Sequence, residues 1–178
     1  MTKRTITAII LLLVPFAFSA YSQEPGNSKE RALAKAKQVE TEVRTVFDSL
    51  MEGIRKTDVE KVMNAYRNDD RTLFFNYNGT VTTGWKTMYE NRKSSYPKRS
   101  NISIEPSEVR VEVLSPTSAY LTCKWKQTQD ADGKLEQSSG RMTLVFKKFG
   151  KEWKIVHLHT SPDTFPSALM VPGPGNEQ

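Results

Sequence analysis

The run GKEWKIVHLHTSP, Gly150 to Pro162, decides how the rest of the chain is read. Polar and apolar residues alternate through it with period two, the pattern of a β-strand. Strict alternation puts Trp153, Ile155, His157, His159 and Ser161 on one face and Lys154, Val156, Leu158 and Thr160 on the other. The strand-like run GRMTLVFKK comes before it, and Phe149-Gly150-Lys151 supplies a turn, so the two runs read as the last hairpin of a curved sheet. Both histidines of the chain lie in this strand.

Upstream, Ala119 to Gln129 and Ile102 to Leu114 also read as long strands, the latter bent or bulged near Pro106, with Asp132-Gly133 as a further turn. Before the strands the period changes. Ala36, Val39, Val43, Val46, Phe47, Leu50, Met51 and Ile54 recur every three or four residues, one apolar stripe along a long helix. Thr57 and Glu60 read as a capping box opening a second, short helix whose inner face is Val59, Val62, Met63 and Tyr66. Thr72 to Tyr77 and Thr80 to Thr83 flank Asn78-Gly79 as a short hairpin, and Gly84 opens a third helix that runs from Trp85 to about Ser95, before Pro97. Helix, helix, hairpin, helix and four long strands predict an α+β fold, a cone-shaped curved antiparallel sheet with three helices packed on its concave face.

The amino terminus reads as an address. Lys3 and Arg4 precede the apolar run Ile6 to Phe18, and Ala20-Tyr21-Ser22 offers small residues to a signal peptidase, so residues 1–22 are expected to be a signal peptide. Residues 23–35 are expected to be a flexible leader, 36–161 the domain and 162–178 a Pro/Gly-rich tail. The expected product is exported, periplasmic or secreted. Its net charge falls from +6 to +4 when Lys3 and Arg4 leave, which gives 24 basic residues against 20 acidic. The basic residues are scattered and show no run interleaved with aromatics, so the pattern predicts no nucleic-acid partner. The single cysteine, Cys123, cannot form an internal disulfide and reads as a buried small hydrophobe. Two histidines on one strand do not complete a zinc site without a third ligand, and no metal or cofactor is expected.

Gly53 with Asp58 at the helix junction, Gly84 before the third helix and above all Trp153-Lys154-Ile155-Val156-His157-Leu158-His159-Thr160-Ser161 carry a family resemblance. Over Val39 to Ser161 the chain resembles the SnoaL-like members of the nuclear transport factor 2-like superfamily. It is also similar to the association (hub) domain of calcium/calmodulin-dependent protein kinase II. The resemblance implies a cone with an apolar pocket between helices and sheet, and commonly a homodimer. In the hub domain that pocket is lined by arginines, and alignment on the last motif puts Trp125, Leu144 and Thr160 at their places. Met88 and Tyr96 fall at further pocket positions.

What the resemblance implies is therefore a pocket lined by Met88, Tyr96, Trp125, Leu144, Leu158 and Thr160, stripped of cations and suited to a small, mainly apolar molecule. The same residues could instead fill the cone as core. Trp153, His157, His159 and Ser161 are expected on the outer face, as motif and dimer-interface residues. No catalytic residue is assigned. Glu108 and Glu112 alternate against Val109, Val111 and Val113, which turns them outward and leaves Tyr66, Tyr77, Tyr89 and Tyr96 as the inner polar groups. Two other readings stay open: an isomerase, dehydratase or cyclase working through Tyr and His, and a dimeric assembly module.

Overall fold

The computed structural model describes residues 25–163, with side chains from Ser28 onward. The expected signal peptide and nearly all of the expected tail lie outside the described residues. Helix α1 (Pro25–Arg55) is followed by α2 (Val59–Asn64), strands β1 (Leu73–Phe75) and β2 (Val81–Thr83), and α3 (Trp85–Ser95), which tightens into a 3₁₀ turn over Tyr96–Lys98. Four long strands complete the chain: β3 (Arg99–Ser115), β4 (Ser118–Ala131), β5 (Lys134–Phe149) and β6 (Glu152–Pro162). They form one six-stranded sheet in the order β2-β1-β6-β5-β4-β3. Every neighbouring pair is antiparallel except β1 and β6, which run parallel, so the sheet is mixed and not wholly antiparallel as expected.

Helix α1 crosses the concave face of the sheet. Val39, Val43, Phe47, Leu50 and Met51 of its apolar stripe are buried, each contributing about 1.5–3 kcal/mol over an exposed position. Residues 25–35, expected to be a flexible leader, are helical. The stretch from Ser28 to Lys35 is exposed throughout and extends α1 away from the core. The turn into α2 also differs from expectation. Asp58 and not Thr57 is the N-cap, its carboxylate accepting from the Lys61 amide at 2.9 Å. Thr57 takes a left-handed conformation (φ 51°) just before it. Gly53 allows α2 to approach α1, since a Cβ there would lie 2.9 Å from Val62 Cγ2.

Strand β3, at the sheet edge, slips register against β4 around Asn101 and Glu108, both with positive φ, and Pro106 sits between these two irregularities. Strand β6 carries the bulge that matters most. Val145 pairs with His157 but Phe146 pairs with Ile155, so Val156 is an extra residue. Trp153 and Ile155 before the bulge and Leu158 after it are all buried on the concave side. Strict alternation had grouped Trp153 with the histidines; the bulge places them on opposite faces. Trp153 is therefore a core residue and not part of an outer interface.

Polar clamps hold α1 to the sheet, among them Arg44 Nη2 to the Val109 carbonyl at 3.4 Å. Arg55 donates through Nε and Nη2 to the Ile104 carbonyl, at 3.1 and 2.9 Å. Glu42 accepts from Lys148 Nζ and from the Trp153 indole, each at 2.6 Å. The Lys148 bond, then the Trp153 bond, hold the Glu42 carboxyl down at about 2 from an ordinary 4.5. Since the folded-state value is the depressed one, this contribution is complete above pH 4.5 and disappears as pH falls toward 2. Glu42→Gln keeps an acceptor for Trp153 but loses the charge. Chemical denaturation should show it less stable than the parent at neutral pH, and the difference should close as pH falls below 4.5; a pH-independent difference would refute the assignment.

Candidate functional site

A cavity of about 100 Å³ lies between the concave sheet face, the C-terminal half of α1 and the end of α3. Leu50 and Ile54 of α1 form one wall; Ile102 and Ile104 of β3, Met142 of β5 and Leu158 of β6 continue the apolar lining. It opens toward a second hollow between the β1–β2 hairpin and α3, and the two share Asn76, Tyr77, Arg92 and Arg99. Tyr77 stands at this mouth, about half exposed, its ring edge-on to the Trp125 indole at 6.2 Å.

Of the six residues expected to line the pocket, Tyr96, Trp125, Leu158 and Thr160 do so. The Thr160 hydroxyl is already engaged, donating to the Phe75 carbonyl at 3.1 Å. Met88 borders the outer hollow instead. Leu144 is fully buried in the core between Leu121 and Leu158, its cross-strand neighbours, and does not reach the cavity.

The expectation of a cavity without cations is corrected by Arg92 and Arg99, which both line it. Arg92 follows Met88 by four residues and precedes Tyr96 by four, so the helix brings all three to one side. Two of those three were already expected in the pocket, and the helical period was the signal that could have found Arg92. Alternation along β4 was the matching signal for Gln127 and Gln129, which share the face of Trp125. Those amides are spoken for: Gln127 donates to Gln129 at 2.9 Å, and Gln129 donates to Glu136 at 2.7 Å.

Three donors at the cavity are not satisfied. Arg92 Nε, the Tyr96 hydroxyl and the Trp125 indole N–H are all buried and find no partner within the protein. A fourth such atom, Arg67 Nε, lies elsewhere, in a guanidinium stacked over Phe149 at 4.2 Å. Buried polar groups normally pair, and each one left unpaired costs about 1–3 kcal/mol. All three belong to side chains that line the one cavity. The lining has no Asp, Glu or His among the described residues. Burial pushes the Tyr66 hydroxyl above its ordinary value of 10, further from any role as a base.

The histidines face the other way. His157 is half-buried, with Nδ1 at 3.1 Å from the Leu73 carbonyl, and its ring meets Phe75 edge-on at 5.3 Å. His159 is exposed and meets the same Phe75 ring at 5.6 Å. Ser161 pairs with the exposed Arg141 on this outer side. Cys123 is buried in β4, and desolvation pushes its thiol up to about 11. Among the described residues no cluster of His, Cys, Asp and Glu could hold a metal ion, and no helix is long and apolar enough to cross a membrane.

Glycine 140 sets the seat of Trp125. The two are cross-strand partners, and a Cβ on Gly140 would fall 3.0 Å from Trp125 Cζ2 and 2.1 Å from the Ser161 carbonyl oxygen. Gly140→Ala should therefore push β6 or the indole aside and lower stability by about 1–3 kcal/mol. The near-ultraviolet tryptophan dichroism should change with it. An unchanged spectrum and melting temperature would contradict this account of the site.

The model of SnoaL-like domains matches residues 43–165. No curated protein matches the chain. Among solved structures, a nuclear transport factor 2-like superfamily protein from Salmonella enterica serovar Typhimurium superposes with a TM-score of 0.67 at 20% identity, covering 76% of this chain and 98% of that one. A ketosteroid isomerase-like protein from Erwinia carotovora atroseptica gives 0.60 at 13% identity over 70% and 95% of the two chains. A protein proposed to be a calcium/calmodulin-dependent protein kinase II association domain, from Xanthomonas campestris, gives 0.58 at 20% identity over 68% and 85%. At these identities the likeness is one of fold.

Proposed function

From the premise that the chain belongs to the SnoaL-like domain family, we propose that it binds a small, mainly apolar molecule in the cone. The observation that carries this reading is the conjunction of an apolar cavity with three unpartnered donors on its wall. A pure assembly module would have a filled cone, and the cavity of about 100 Å³ speaks against it. An isomerase or dehydratase needs a group that takes a proton at neutral pH. The described lining offers no carboxylate or imidazole for that role. Binding without chemistry is the better account.

The cavity has about two-thirds the volume of an engineered cavity of about 150 Å³ that takes up benzene, and it continues into the outer hollow, so a single ring would fill it and reach its mouth. A titration with p-cresol, followed by amide and indole N–H resonances, tests the reading. Saturable shifts should gather on Tyr96 to Arg99, on Trp125 to Gln129 and on the Trp125 indole proton. Shifts scattered over the outer sheet face, or none that saturate, would overturn it.

We extend the proposal to an exported homodimer that meets its partner across the outer sheet face. Phe75, 37% exposed between the two histidine rings, and Tyr120, 36% exposed, support that surface. Sedimentation of the mature protein should show a dimer, and Phe75→Lys should yield a monomer that still binds p-cresol. A Phe75→Lys dimer would refute this interface.

A further inference from the structure

The character of the unpartnered donors says more about the ligand than the cavity's size does. Arg92 Nε and the Trp125 indole N–H can only donate, and the Tyr96 hydroxyl has a proton to give as well. A ketone or amide oxygen has two lone pairs and cannot receive three donors. A carboxylate offers about four acceptor positions on two oxygens, and its bonds to a guanidinium are of the stronger, charge-assisted kind.

The charge count agrees. The formal charges among the described lining residues are those of Arg92 and Arg99. Neither makes an ion pair among the described residues. Arg92 is half-buried with its guanidinium 5.5 Å from the centre of the Tyr96 ring, a weak partner for a charge withdrawn from water. Glu136, which accepts from Gln129 through Oε2, is exposed and stands outside the cavity lining. The exposed Lys98 borders a further surface hollow that shares Arg99 with the cavity and is also lined by Asp130 and Asp132.

We infer that the ligand is a small organic anion: a ring or short hydrocarbon bearing one carboxylate, received by Arg92, Tyr96 and Trp125, with Arg99 at the mouth. The inference rests on the binding reading above and makes it specific. The apolar part packs against Leu50, Ile54, Ile104 and Leu158. Arg99, half-exposed where the cavity meets the outer hollow, adds attraction along the entry path.

Benzoate and benzamide, matched in size and differing in charge, test it by the same resonance titration. Benzoate should bind at least tenfold more tightly than benzamide and shift the Trp125 indole proton furthest. Arg92→Gln should weaken benzoate binding at least tenfold and so remove its preference over benzamide. A second measurement needs no variant: the carboxyl carbon resonance of labelled benzoate, followed with pH, should show a bound pKa below its free value, because a guanidinium favours the ionised form. Equal binding of the two probes, or a bound pKa at or above the free value, overturns the inference. If p-cresol still saturates the cavity in that case, the broader binding reading stands. If cresol, benzoate and benzamide all fail to bind, both fall.

Discussion

The single extra residue at Val156 organises the working face of this domain. Before the bulge, β6 sends Trp153 and Ile155 into the packing under α1; after it, Leu158 and Thr160 face the cavity. An unbroken strand would turn one of these pairs outward, because a one-residue slip exchanges every side chain between faces. The bulge lets one strand serve both the core and the cavity wall. It also fixes His157 and His159 on the convex side, where the first donates from Nδ1 to the Leu73 carbonyl of β1 and both flank Phe75.

Around that strand the energetic roles divide along the length of α1. At its middle, Glu42 joins Lys148 and Trp153; at its end, Arg55 holds the β3 backbone, and buried apolar side chains fill the space between. That region is satisfied and closely packed, down to Gly53 against Val62. The cavity beyond it is the opposite. Its donors are buried without partners, a cost of about 1–3 kcal/mol each that a purely structural interior would have removed. Such a cost persists where the surrounding packing over-determines the geometry, as Gly140 does for the Trp125 indole. The contrast within one small domain separates the packing that holds the fold from a cavity lined by side chains with unpartnered donors.

Much of this was legible residue by residue. The stripe from Val39 to Ile54, the Asn78-Gly79 and Asp132-Gly133 turns and the four long strands follow from local periodicity and turn chemistry, which act within a few residues. Gly53, Asp58 and Gly84 marked the helix junctions, although Asp58 and not Thr57 caps α2. Tyr96, Trp125, Leu158 and Thr160 were placed in the cavity through the family resemblance together with alternation. Arg92 was legible in the spacing of Met88 and Tyr96 but hidden by alignment to a pocket whose cations come from strands. Leu144 was misplaced because alignment to the hub pocket gives a position on the concave face and says nothing of depth; a residue there lies in the core or the cavity according to what α1 covers.

By itself the sequence determined the order of elements, the helical and strand faces away from irregularities, and the family, because each depends on short-range periodicity and local motifs. The tertiary structure alone decided the bulge at Val156, the parallel pairing of β1 with β6, and the meeting of Arg92, Tyr96 and Trp125 on one cavity. The physical reason is that register and pocket chemistry are set by contacts between residues distant in the chain. Whether a buried donor is satisfied depends on every neighbour that surrounds it, and those neighbours are assembled only when α1, α3 and the sheet close together.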